Sequence, residues 1–293
     1  MNTKLGLLFS VLALFSSQVF ATAYQLPTST ALIGQIEYTS GGDARSTAKR
    51  YDLGLNALES ANPQGFGGSL VLPTQHLLPN LPRRGIVINL PEMRMYYYPN
   101  GTGQVLTYPI GIGKIGRTIP ITQTYVTRKT INPTWRPPES IREFNLEQGI
   151  VLPDVMPPGP DNPLGPYAIY MGIPTYLIHS TIFPESIGKR ASFGCIRMYE
   201  SDIEEFFPSI TSGIPVAIIN SPVKAGWQGN QLYVEAHQPL EEHQGETNAT
   251  LSGMAQTIRR VTGNQPVLID WQGLSYIARE RDGIPHEIGI RIR

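Results

Sequence analysis

The chain holds a single cysteine, Cys195, within a stretch at 191–198 that reads Ala-Ser-Phe-Gly-Cys-Ile-Arg-Met. A cysteine attacks a carbonyl as its thiolate, and a free thiol is mostly protonated near pH 7. It therefore needs a base beside it, most often a histidine. His179, sixteen positions upstream at the end of an apolar run, is the candidate. The attacked carbonyl becomes an oxyanion, which backbone N–H groups on a tight turn stabilise. Gly194 permits such a turn, so that the amides of Gly194 and Cys195 can face one pocket, and Ser192 can hold the turn by local hydrogen bonds. Arg197 lies two residues past the thiol. In an extended chain it projects to the same side and can grip a carboxylate in a bidentate manner. These are the parts of an acyl transfer through a thioester. Spacing alone also fits a structural Cys–His pair, and many lone cysteines are small buried hydrophobes.

The rest of the chain must position these groups. With 41% hydrophobic and 16% charged residues it is a globular sequence with a core, and its 29 Gly and 26 Pro favour short strands and turns over long helices. The formal charge is zero and no Lys/Arg run occurs, which argues against a nucleic-acid partner. Residues 1–23 read as a cleavable secretory signal: Lys4, an apolar Leu5–Phe15 too short to span a bilayer, and Ala21-Thr22-Ala23 as the cleavage site. His76, His237, His243 and His286 show no ligand spacing and read as surface or packing residues, so neither a metal nor another cofactor is expected.

Residues 33–78 read as a β-α-α-β unit, with a strand at 33–38, helices at 44–51 and 55–60, and a strand at 69–73. Residues 74–84 read as a linker. Strands follow at 86–90, 94–98, 105–110 and 122–131, with one ring of Tyr96, Tyr97 and Tyr98 expected inward and two partly exposed. The proline-rich 132–166, containing Trp135, reads as an ordered lid or groove wall. Strands at 167–171 and 175–179, a helix at 201–210 and a strand at 215–219 complete the region, and His179 meets Cys195 if its strand neighbours the one at the thiol. The tail shows strands at 231–236 and 267–269 and a helix at 251–261.

The segment 178–198, with Ile178-His179-Ser180, then Gly188 and Arg190, then SFGCIRM, resembles the active-site signature of the L,D-transpeptidase catalytic domain. GIVINLPEMRMYYYP at 85–99, PIGIGKIGRTIP at 109–120, PTWRPP at 133–138 and GPDNPLGPYAIYMG at 159–172 resemble segments of that family's periplasmic, LysM-bearing branch. The unit at 33–78, with ALESANP at 57–63 and LVLP at 70–73, resembles a LysM module, which binds the glycan of peptidoglycan or chitin. It departs from that pattern at Gly42, Asp43 and Thr47.

The resemblance implies a mainly β protein with α+β appendages: signal peptide 1–23, LysM-like module 33–78, β-rich L,D-transpeptidase-like catalytic domain 84–220, and α+β subdomain 221–293. It implies Cys195 as nucleophile, His179 as proton acceptor and donor, and the Ser180 carbonyl as the group orienting the imidazole. Gly194 and Cys195 amides would form the oxyanion hole, and Ser192 and Arg197 would support the turn and the donor peptide. Phe193 stands where the family most often has His and would be a pocket-wall residue. The implied reaction is attack on the bond between the third residue of a peptidoglycan tetrapeptide stem and its terminal D-Ala. The acyl group then passes to an amine, giving a 3→3 cross-link or attachment of an outer-membrane lipoprotein. Carbapenem-type inhibitors would acylate Cys195, and the protein would work in the periplasm. A cell-wall cysteine carboxypeptidase or endopeptidase, and a non-catalytic peptidoglycan-binding protein, are the alternatives.

Overall fold

The computed structural model describes residues 22–27, 31–244 and 249–292. The leader expected over 1–23 falls almost wholly outside the described residues. Among those described, no helix is long and apolar enough to cross a membrane.

The first unit has the β-α-α-β order expected: β1 (Glu37–Ser40), α1 (Ala44–Arg50), α2 (Leu55–Ala61) and β2 (Ser69–Leu72), with β1 and β2 antiparallel. Asp43 caps α1 by accepting the Ser46 N–H. Buried Leu53, Leu58 and Leu72 form its small core, and the Asn62 side chain ties α2 to β2 through Leu58 O, Val71 O and Val71 N–H, each at 2.8 Å. The first strand starts later than expected. Gly34 takes a positive φ of 70° and a Cβ there would lie 2.2 Å from the Thr74 carbonyl oxygen, so the chain bends away and Ile33 pairs instead with His76. This also corrects the linker reading of 74–84: His76, Leu77 and Leu78 are buried, paired and packed.

Next come β3 (Gly85–Asn89), β4 (Arg94–Tyr98), β5 (Gln104–Pro109), β6 (Thr122–Ile131), α3 (Glu139–Leu146), β7 (Tyr167–Met171), β8 (Leu177–His179), β9 (Ile196–Arg197), α4 (Glu200–Phe206) and β10 (Pro215–Ile219). With Thr22–Gln25 at one edge, they form a nine-stranded sheet in the order β5-β4-β3-β10-β6-β7-β8-β9 from that edge. Neighbours are antiparallel except β3 with β10 and β8 with β9. Alternate residues go to opposite faces. Ile86, Ile88, Tyr97, Ile169, Ile178 and Ile196 join α4's Ile203 and Phe206 on one face, while Val87, Tyr96, Tyr98 and Val105 pack against Ile33 and Leu78 on the other. The triple tyrosine is thus entirely buried, against the expectation of two partly exposed rings, because the sheet is covered on both faces there.

The tail folds as β11 (Val223–Gln228), β12 (Gln231–Ala236), α5 (Leu251–Thr262), β13 (Val267–Ile269), α6 (Trp271–Glu280) and β14 (His286–Arg291), with sheet order β11-β12-β14-β13. Where the three regions meet lies a buried polar cluster. The Lys224 ammonium sits 2.8 Å from Glu92 and 2.7 Å from Glu235. Glu235 also bonds His237 at 2.7 Å and accepts the Leu77 N–H, and Glu92 accepts from Asn89 and from the Tyr96 hydroxyl. Among the described residues, His76, Glu92 and Glu235 are the one group close enough to share a metal ion, and the lysine already supplies the cation there.

Candidate active site

The register of two short strands builds the site. In the parallel β8–β9 pair, Ile178 lies beside Ile196 and His179 beside Arg197. Both isoleucines are fully buried in the core, so His179 and Arg197 emerge on the opposite face. Cys195, one residue before β9, emerges with them beside Leu177, whose N–H lies against the sulfur. Thiol and imidazole are therefore diagonal neighbours on one face, with Cα atoms roughly 8 Å apart by sheet spacing.

His179 is buried at 3% exposure. Its Nδ1 faces the Ser180 carbonyl oxygen at 2.5 Å, which can only accept, so Nδ1 carries the proton and the lone pair is on Nε2. Ser180 is itself pinned. Its hydroxyl donates to the Leu164 carbonyl at 2.9 Å and accepts the Tyr167 N–H at 3.0 Å, and its own N–H donates to the Tyr167 carbonyl. Burial, assisted by the Arg197 charge, pushes the imidazole pKa down to about 4. Burial raises the thiol of the half-buried Cys195, against the Leu177 N–H and Arg197, which favour thiolate. At pH 7 the resting pair is a neutral imidazole and a neutral thiol, which reaches toward the Thr175 carbonyl at 3.6 Å.

The turn before the thiol closes on Ser192. Its hydroxyl donates to the Cys195 carbonyl at 2.6 Å and accepts the Gly194 N–H at 3.0 Å. Gly194 has φ +111°, and a Cβ there would lie 2.6 Å from the Tyr176 ring, so only glycine fits. The two amides expected to face an oxyanion thus part company. That of Gly194 is engaged within the turn, whereas no described residue accepts the Cys195 N–H. Arg197 lies over the Phe183 ring at 5.6 Å, and its Nε is buried without a hydrogen-bond partner.

Phe193 is half-buried and lines the cavity. Its ring meets Phe144 of α3 edge-on at 5.0 Å, and the Lys114 ammonium sits between the two rings, 4.0 Å from Phe193 and 3.5 Å from Phe144. This clasp joins the cysteine loop to the proline-rich segment, which is ordered. Trp135 and Met156 exchange backbone hydrogen bonds, and buried Asn162 holds the Pro133 and Pro157 carbonyls. The cavity over Cys195 has a volume of about 700 Å³ and is lined also by Tyr170, Leu177, Trp135 and Ile141. Lys114, Arg117, Arg128, Phe144 and Tyr170 were not singled out from sequence; each sits on an otherwise ordinary strand, turn or helix pattern. The stretch between His179 and Cys195 is also braced from the first unit, since Leu55 N–H donates to the Ile187 carbonyl at 3.4 Å and Asn56 N–H to the Gly188 carbonyl at 3.2 Å; just past the thiol, Tyr199 OH donates to the Leu53 carbonyl at 3.3 Å.

A thiol lining an open cavity, with a buried neutral imidazole diagonal to it across two strands, is an arrangement that suits acyl transfer through a cysteine. The YkuD family model, described as the L,D-transpeptidase catalytic domain, matches residues 83–218. The chain is 43% identical to the probable L,D-transpeptidase YcfS of Escherichia coli (strain K12) over 74% of this chain and 72% of that one. It is 37% identical to the probable L,D-transpeptidase YbiS of the same organism over 97% and 99%. With the probable L,D-transpeptidase ErfK/SrfK of Salmonella typhimurium it shares 40% identity over 77% of each chain. The chain belongs to the L,D-transpeptidase family and is an acyltransferase.

Proposed function

We propose that the protein is a peptidoglycan L,D-transpeptidase acting through Cys195 and His179. The observation that carries this reading is the β8–β9 register, which sets the thiol and the imidazole on one face, with the thiol lining the cavity. The starting state is neutral, so the proton moves as the sulfur attacks. His179 Nε2 takes the S–H proton while Sγ bonds to the carbonyl carbon of the third stem residue. The oxyanion is met by the Cys195 N–H, and the Ser192-closed turn fixes that amide's direction. Collapse breaks the C–N bond, His179 protonates the departing D-Ala amine, and a thioester remains. An acceptor amine then gives its proton to His179, attacks the thioester, and releases the thiol.

The acceptor is an amine of a second stem, giving a 3→3 cross-link, or a lysine of an outer-membrane lipoprotein. The reaction takes place in the periplasm after removal of residues 1–23, with the unit at 33–78 as a glycan-binding LysM module. Carbapenem-type lactams acylate the same sulfur. Incubation of the purified protein with a tetrapeptide stem tests this directly. The expected result is D-Ala release and an intact-mass increase equal to the acyl group, both absent in Cys195→Ala. D-Ala release by that variant overturns the reading, and consumption of an added amine separates transfer from hydrolysis.

A further inference from the structure

A line of four residues crosses the sheet away from the thiol. Arg128 on β6 is paired with Tyr170 on β7, Tyr170 with Leu177 on β8, and Leu177 lies beside Cys195. All four line the one cavity. The Arg128 guanidinium lies over the Tyr170 ring at 3.3 Å from its centroid, and its Nη1 donates to Thr130 Oγ1 at 3.0 Å. Stacking and hydrogen bond hold an exposed, flexible side chain in one orientation without neutralising it. Two strand spacings separate Tyr170 from Cys195, which puts the charge roughly 10 Å from the thiol.

The chain as a whole has no net charge, yet this cavity has a basic lining. Arg117 and Arg136 also line it, and among the described residues no carboxylate pairs with Arg117, Arg128 or Arg136. The single acid on the wall, Glu242, is held by Arg190 through two hydrogen bonds of 2.8 and 2.7 Å. A guanidinium aimed, desolvated on one face and lacking a counterion suits a planar carboxylate.

We infer that Arg128, stacked on Tyr170, is a specificity-determining residue that binds a donor carboxylate about 10 Å from the scissile carbonyl. The inference rests on the reading of Cys195 as the acylated nucleophile. Ten ångströms corresponds to about three extended residues, or to one residue and a long side chain. A donor carboxylate within that reach would sit on the residue preceding the acylated one or at the end of the acylated residue's side chain. Both present the same chemistry to Arg128.

The test is a cycle between protein and substrate. D-Ala release is measured with a tetrapeptide donor bearing both carboxylates and with two donors in which one or the other is a carboxamide. Each is run on wild type, Arg128→Gln and Arg128→Lys. On the free-acid donor, Arg128→Gln is expected to lower kcat/KM roughly tenfold, mainly through KM, with Arg128→Lys intermediate because it keeps charge and loses the planar stack. One carboxamide donor is expected to show the same loss on wild type and no further loss on Arg128→Gln. Which donor does so identifies the carboxylate. Equal turnover of the free-acid donor by wild type and Arg128→Gln overturns the inference, and so do losses that multiply for both carboxamides. Absence of D-Ala release from every donor on wild type instead defeats the reading of the thiol itself.

Discussion

Two places in the molecule gather charge and imidazole, and they are finished differently. At the junction of the three regions, Lys224 is 1% exposed and each of its carboxylate partners is bonded again, Glu235 by His237 and Leu77 N–H, Glu92 by Asn89 and Tyr96. Burial alone would push the Glu92 carboxyl up, yet Lys224 and His237 hold it below its ordinary range. At the thiol, partners are missing. Among the described residues, Arg197 Nε and the Cys195 N–H have none, and Arg117, Arg128 and Arg136 of the cavity pair with no carboxylate. His76 Nδ1, 3.8 Å from Glu92, is the junction's exception, and a set of partners otherwise closed resists change and holds elements together. An open one leaves donors for something that arrives. We therefore assign the first cluster to stability and, on the proposed function, the second to turnover.

Removing chemistry from the open site should give the largest effect and should leave the closed one untouched. Cys195→Ala is expected to abolish the acyl adduct, and His179→Ala to lower acylation by at least about 10³-fold. Both should unfold at a denaturant midpoint close to that of wild type at pH 7.5. Turnover by either variant at a comparable rate breaks the assignment of the open site.

The converse change is Lys224→Met. It removes the cation and leaves two buried carboxylates facing one another without it, which costs about 3–5 kcal/mol. Urea denaturation should show that loss, while acylation per folded molecule stays within a few-fold of wild type. A fall in acylation with stability unchanged would exchange the roles of the two clusters.

The difference between the clusters also explains what the sequence reveals. β6 was legible residue for residue at 122–131 because alternation along one strand is local information. The His179–Cys195 relation is legible only in part, because the neighbouring strands that carry it are parallel and joined by a crossover over 180–195. The junction was not legible, since Glu92, Lys224 and Glu235 lie on three elements more than a hundred residues apart at the extremes. Helix α3 is not legible because its short apolar face, Ile141 and Phe144, sits inside a proline-rich stretch and buries no residue. The burial of all three tyrosines depends on Ile33 and Leu78 covering a face that the strand itself does not disclose. The engagement of the Gly194 amide is not legible either, because the hydroxyl two residues back that accepts it is a contact only geometry shows.

Acid titration sharpens the contrast next. His179 stays neutral in the fold down to about pH 4, whereas an unfolded imidazole titrates near 6.5. Between those values the unfolded chain gains a proton that the folded chain does not. His179's effect on stability is thus nil above pH 6.5 and grows unfavourable as pH falls toward 4, reaching roughly 3 kcal/mol. The buried Asp52 and Asp202 carboxyls slope the other way. Burial raises both, Asp52 to about 6, so their contribution is lost as pH rises from 3.8. Comparing wild type with His179→Gln at each pH cancels that shared slope. The variant should become relatively more stable as pH falls from 6.5 to 4. Parallel curves would mean that His179 protonates in the folded protein and is not the neutral base.

The smallest effect concerns the clasp that closes the open site's wall. Phe193, Lys114 and Phe144 join the cysteine loop to α3 through one edge-on ring pair and two cation–ring contacts. Such contacts contribute about 1 kcal/mol each at partly exposed positions. Phe144→Ala should raise the donor's KM several-fold and leave kcat nearly unchanged, because α3 shapes the cavity without touching the reacting atoms. Phe193→Ala should do the same, and the double variant should lose little more than either single one, since each removes the same pairing. Phe193→His should stay near wild type, because an imidazole can still stack on Phe144 and, on the proposed function, His179 is the base. A large gain or loss of kcat in Phe193→His would give position 193 a proton-transfer role that the clasp does not, and would move Phe193 from the wall of the site into its chemistry.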